Sequence, residues 1–173
     1  MQKSGDGDAQ EPVTDWPPLH RNEWSHLMET TVRYTGSVSF EVETRGHRII
    51  CDQPVENGGS DTGLTPPEFL LASLGTCAGY YAAEYLRARH VPAEGLEIQV
   101  FAEKAQQPAR ISKFRIEVRV PSIADERHRE GLLRSVKRCL IHNTLTNPPQ
   151  IETLIALNTG TEAAAAPCTY LHT

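Results

Sequence analysis

The sequence predicts an α+β fold, on three observations. Residues 31–52 alternate apolar and polar with glycines at the breaks, the period of half-buried strands. Residues 66–90 are apolar nearly all round at helical spacing, as in a central, buried helix. The same order, strands and then a helix, returns as a rough echo in the second half of the chain.

Each element follows from its own residues. Residues 1–28 begin "MQKSGDGDAQEPVTDWPP", polar and rich in Gly, Asp and Pro; they predict a flexible arm, with Trp16 and Trp24 as its points of attachment to a neighbour. A domain then runs over residues 29–158, with a terminal extension over 159–173. Val32 and Tyr34 share a face, as do Val38, Phe40 and Val42, and then His47, Ile49 and Cys51. Three antiparallel strands are expected over 29–35, 37–45 and 47–52, turning at Gly36 and Gly46. "QPVENGGSDTGLTPP" is a loop, in which Asp52 and Pro54 shape the turn. Thr65 is placed to cap the helix that follows. Pro66 and Pro67 fit its first positions, where a missing N–H costs little, and Glu68 suits the positive end of its dipole. Leu70, Leu74, Cys77, Tyr81 and Tyr85 line one face of this helix, and Leu71, Ala78 and Ala82 the other. Gly75 and Gly79 predict close approach of another backbone, such as a second helix.

"GLEIQVFAEK" and "KFRIEVRVP" alternate and form a strand pair connected around Pro108. "DERHREGLLRSVKRCLIHNTL" is a second helix with Leu132, Val136, Cys139 and Leu140 on one face and Asn143 near its end. "PQIETLIAL" is a final strand.

Composition narrows the function. The net charge of −5 argues against a nucleic-acid binder, which needs a basic surface to displace counterions. No apolar run is long enough to span a membrane, and no secretory signal opens the chain. The four cysteines, Cys51, Cys77, Cys139 and Cys168, are too sparse for a disulfide scaffold. A cytoplasmic protein with reduced thiols is expected. "CLIH" and "CTYLH" have ligand-like spacing, but zinc wants four ligands and no second pair lies at a matching interval. No metal and no cofactor are expected.

The informative constellation is one cysteine on the apolar face of each helix. Either both simply pack, as buried free cysteines often do, or they react. A peroxide converts a thiolate to a sulfenic acid, and a second thiol condenses with it to a disulfide. The thiolate needs a neighbouring cation or a helix N-terminus. Glu68 lies nine residues before Cys77, two and a half turns away, so it serves the thiol only by holding an Arg from elsewhere.

"TPPEFLLASLGTC" resembles the Pro-x-Glu-Leu-Leu-x-Ala-x-x-x-x-Cys stretch of the OsmC/Ohr family, the osmotically inducible and organic hydroperoxide resistance proteins. "RGHRIICDQP" and "GGSDTGLTPPE" resemble its OsmC-like branch, and "RCLIHNTL" is similar to its second motif, a Cys followed four residues later by Asn. The resemblance spans residues 29–157. It implies an intertwined homodimer with antiparallel sheets wrapped around two long central helices. It also implies a thiol peroxidase for organic hydroperoxides, reset by a dithiol reductant, either a small molecule or a lipoylated protein. By the same resemblance Cys77 is the peroxidatic thiol, Cys139 the resolving thiol, and Glu68 the acid that positions an activating Arg. The hydroperoxide-resistance branch carries that Arg after a Gly-Gly between its first strands; here the region reads "YTGSVSF", and Arg33, Arg45 and Arg48 are the nearby candidates. The Glu-to-Cys spacing is one residue shorter than in that branch. The competing expectation is an OsmC-like protein that binds a small apolar or lipid-like ligand without catalysis.

Overall fold

A computed structural model describes residues 28–156. The expected C-terminal extension, with Cys168 and His172, and the arm up to residue 27, with Trp16 and Trp24, lie outside the described residues. The chain divides into two compact units, up to Pro66 and from Pro67 onward.

The first unit is an antiparallel sheet of β1 (Thr31–Gly36), β2 (Ser39–Thr44) and β3 (His47–Cys51), in that order. Register sorts the side chains. Val32 pairs with Val42 and Val42 with Ile49, while Tyr34 pairs with Phe40 and Phe40 with Cys51, so one face is apolar. Arg33, Glu41, Glu43 and Arg48 share the opposite face. The β2–β3 hairpin turns on Arg45 and Gly46, both with positive φ (50° and 78°), the conformation that a two-residue hairpin of matching twist demands. Beyond β3 the loop folds around buried Asp52. Its carboxylate accepts from the N–H groups of Gln53 (2.8 Å), Ser60 (3.0 Å) and Thr62 (3.2 Å) and from the Thr62 hydroxyl (2.9 Å). The N–H of Thr62, first among these donors, holds the Asp52 carboxyl below the usual carboxylate range despite burial. Asp52 thus organises the turn, as expected.

The second unit is built on α1 (Pro66–Arg87), opened by two prolines with Glu68 in the first turn. Its fully covered face carries Leu74, Ala78, Ala82, Tyr85 and Leu86. An antiparallel hairpin, β4 (Glu97–Gln106) and β5 (Ala109–Arg119), packs Ile98, Ile116 and Val118 against this core. Ile98 pairs with Val118 and Val100 with Ile116, which puts the apolar set on one face; Glu97, Glu103, Lys113 and Arg119 fall on the other. The strands run further toward Pro108 than the sequence suggests, and the Gln107–Pro108 peptide at their turn is cis.

Three expectations change. Gly75 and Gly79 meet the side chains of Val100 and Ile98 on β4, not a second helix. The close helix approach lies at Gly131 instead, where a Cβ would overlap the Tyr85 hydroxyl. The second helix comes in two pieces, α2 (Glu126–Val136) and α3 (Leu140–Thr146), because Cys139 is extended (φ −54°, ψ 132°) between them. Residues 148–156 pair with no strand, so the final strand expected from "PQIETLIAL" does not form among them. A strand needs a ladder partner, and Ile151 and Ile155 stay 88% and 85% exposed. The α+β class stands, with one long helix, two shorter ones and antiparallel sheets. No helix among the described residues is long and apolar enough to cross a membrane.

Candidate functional site

The second unit brings two thiols together. Cys77 sits mid-way along α1, half-buried. Cys139 is fully buried (0% exposed) at the start of α3. Both are free, and they are neighbours: the Cys77 thiol lies near enough to act on the titration of Cys139.

The break at Cys139 makes this geometry. Asp125 caps α2 by accepting from the His128 N–H (2.9 Å), and α2 docks on α1 through Gly131. The Ser135 hydroxyl donates to the Tyr81 carbonyl (3.0 Å), and the Tyr85 hydroxyl meets His128 Nδ1 at 3.2 Å. These contacts set the end of α2 beside the middle of α1. The chain then tightens: the Arg138 N–H bonds to Ser135 O and the Cys139 N–H to Val136 O (3.0 and 3.1 Å). Asn143 Nδ2 reaches back to the Arg138 carbonyl (3.4 Å) and so bridges the break rather than capping a continuous helix.

Electrostatics distinguish the two sulfurs. Burial, first, and the hydrogen bond to Cys77, second, push the Cys139 thiol up. The N–H groups of His142 and Ile141 pull in the other direction but do not prevail. Cys139 is therefore the protonated, sheltered member of the pair. Cys51 is also buried and its thiol also pushed up, by burial and then by the Asp52 carboxylate.

A cavity of about 750 Å³, which neither thiol lines, is walled by Leu74, Phe114, Ile116, Val118, Leu132 and Val136. Leu74 lies one turn before Cys77, while Val136 and the cavity-lining His142 flank Cys139. Sequence reading weighed His142 only as a metal ligand and missed the cavity it lines, because nothing in the local pattern says which helix ends will meet a strand.

Glu68 is exposed in the first turn of α1. The three candidate arginines lie in the first unit. Arg33 binds Glu43 at 2.6 Å, and Arg48 lies 3.7 Å from Glu43 and 3.9 Å from Glu41. Arg33, by hydrogen bond, and Arg48, by charge, hold the Glu43 carboxyl below its ordinary range. Arg45 occupies the hairpin turn and has no ion pair among the described residues. His47, at the start of β3, and Tyr80, on α1, are exposed.

A model of the OsmC-like protein family matches residues 58–154, more than half of the chain. No curated protein sequence matches. Among solved structures, one from Psychrobacter arcticus, named for osmotic stress induction and a detoxification response, aligns with a TM-score of 0.63 at 20% identity. It covers 70% of this chain and 90% of that one. An OsmC-like protein from Mycoplasma pneumoniae gives 0.60 at 20% identity over 72% and 90%. A protein from Legionella pneumophila, named an organic hydroperoxide resistance protein OsmC, gives 0.53 at 14% identity over 70% and 90%. At these identities the structural likeness is one of fold.

Proposed function

This chain belongs to the OsmC-like protein family, and on that premise we propose that it is a thiol-dependent peroxidase that reduces organic hydroperoxides through Cys77 and Cys139. The observation that carries the reading is the pair of neighbouring free thiols, one half-buried on α1 and the other fully buried and held protonated at the break between α2 and α3. Solved relatives of the same fold that are named for organic hydroperoxide resistance support the substrate class.

In this reading the Cys77 thiolate attacks the terminal oxygen of the hydroperoxide. The O–O bond breaks, the alcohol leaves after taking a proton, and Cys77 becomes a sulfenic acid. Cys139 then attacks the sulfenic sulfur. The S–S bond forms, the S–O bond breaks, and the Cys139 proton departs with the hydroxide as water. A dithiol, small or carried as a lipoyl group on a protein, reduces the disulfide by exchange through its own two sulfurs. Glu68 positions the Arg that favours the thiolate. Arg33 and Arg48 are engaged by Glu41 and Glu43, which leaves Arg45 the least encumbered candidate. A cytoplasmic homodimer completes the proposal. Val32, Tyr34 and Ile49, exposed by 58%, 66% and 50% on one face of the first sheet, form the kind of apolar patch that a second copy covers.

The test is consumption of cumene or tert-butyl hydroperoxide by the purified chain with a dithiol. Turnover is expected to vanish in Cys77→Ser and to fall in whichever of Arg33→Gln, Arg45→Gln and Arg48→Gln removes the activating cation. No turnover above a protein-free control, with Cys77 titrating as a free thiol, sinks the peroxidase. The apolar cavity favours the second reading, a protein that binds a lipid-like ligand without catalysis.

A further inference from the structure

The cavity of the second unit carries a charge pattern that peroxide chemistry does not require. The chain as a whole is acidic, with a net charge of −5. Yet every Lys, Arg, Asp or Glu side chain lining the cavity is a cation: Arg110, Lys113, Arg129 and Lys137. Two of these are neutralised nearby, Lys113 by Glu103 at 3.1 Å and Arg129 by Glu126 through a hydrogen bond of 2.7 Å. Arg110, at the start of β5, and Lys137, at the end of α2, have no ion pair among the described residues. Both are exposed, which places them at the mouth, while Leu74, Phe114, Ile116, Leu132 and Val136 form the interior wall.

An apolar wall with two unmatched cations at its mouth is complementary to a molecule with an apolar tail and an anionic head. We propose that this cavity binds an anionic amphiphile, its tail against the apolar wall and its carboxylate or phosphate held by Arg110 and Lys137. Arg110 supplies a fork of N–H donors that fits either anion in bidentate fashion, and Lys137 adds a second positive charge. The pair selects among ligands of equal tail length by head-group charge. The inference deepens the reading of the cavity as a ligand site but requires no turnover at Cys77. A binding measurement therefore separates its failure from the failure of the peroxidase.

The experiment is equilibrium binding of decanoate, decyl phosphate and decanol to the full chain at low salt. At least one anion is expected to bind about tenfold or more tightly than decanol, with added salt weakening the anion alone. The better of decanoate and decyl phosphate identifies the head group. Arg110→Gln and Lys137→Gln are each expected to lower anion affinity about tenfold and to leave decanol unchanged. Arg127→Gln, on α2 and not lining the cavity, is expected to leave all three unchanged. Equal binding of decanol and both anions overturns the proposal. So does anion affinity that neither cavity variant alters, and so does no binding at all, the result if a second copy of the chain fills the cavity.

Discussion

Cys51 and Cys139 are both buried, 7% and 0% exposed, and burial pushes both thiols up. Their neighbours differ. Cys51 ends a strand beside the Asp52 carboxylate, itself committed to the loop through four hydrogen bonds, and among the described residues no second sulfur is recorded against it. Cys139 ends a turn with the Cys77 thiol as a neighbour that acts on its titration. Burial alone therefore does not separate a packing cysteine from a reacting one. The second thiol does, because only it provides an acceptor for the bond that oxidation forms.

The sharpest way to break this comparison is oxidation without reductant. One equivalent of cumene hydroperoxide is expected to join Cys77 to Cys139 in essentially every molecule and to leave Cys51 reduced, read by mass mapping of alkylated peptides. A Cys51 adduct, or a pair that stays reduced, removes the distinction. Next in size is Gly131→Ala, which drives a methyl into the Tyr85 hydroxyl where α2 docks on α1. It is expected to cost about 1–3 kcal/mol in urea unfolding and to slow disulfide formation, since it moves the end of α2 that leads into Cys139. Unchanged disulfide kinetics in a destabilised variant would show that the docking does not place the sulfur.

The smallest effect is alkaline pH. The folded chain holds the protons of Cys139 and Cys51 to higher pH than the unfolded chain does, so stability is full below the ordinary thiol range. It is lost as pH rises through that range toward the folded values. Each thiol contributes at most about 1.4 kcal/mol per pH unit. Urea midpoints between neutral and alkaline pH are expected to fall less steeply in Cys139→Ala, and likewise in Cys51→Ala. A slope unchanged in both variants refutes the assignment.

The elements were legible where one residue pattern answers to one local geometry. The period-two alternation of Val32, Tyr34, Phe40 and Val42 sorts onto a sheet face with no help from distant residues, as does that of Ile98, Val100, Ile116 and Val118. Pro66, Pro67 and Glu68 mark the start of α1 by helix-terminus chemistry alone. "PQIETLIAL" misleads for the converse reason: alternation describes a strand but cannot supply its partner. The break at Cys139 carries no Gly or Pro to announce it, since docking through Gly131, Ser135 and Tyr85 imposes it.

The sequence by itself determined the α+β class, the buried helix with Cys77 on it, the strand pairs and the presence of a second cysteine motif. All of these follow from interactions within a few residues. The tertiary structure alone decided that Cys139 turns inward near Cys77, that Arg33 and Arg48 are held by Glu41 and Glu43, and that a cation-lined cavity opens between the β4–β5 hairpin and the second and third helices. Hydrogen bonds, ion pairs and cavities arise between residues brought together by packing, and no local periodicity encodes that meeting.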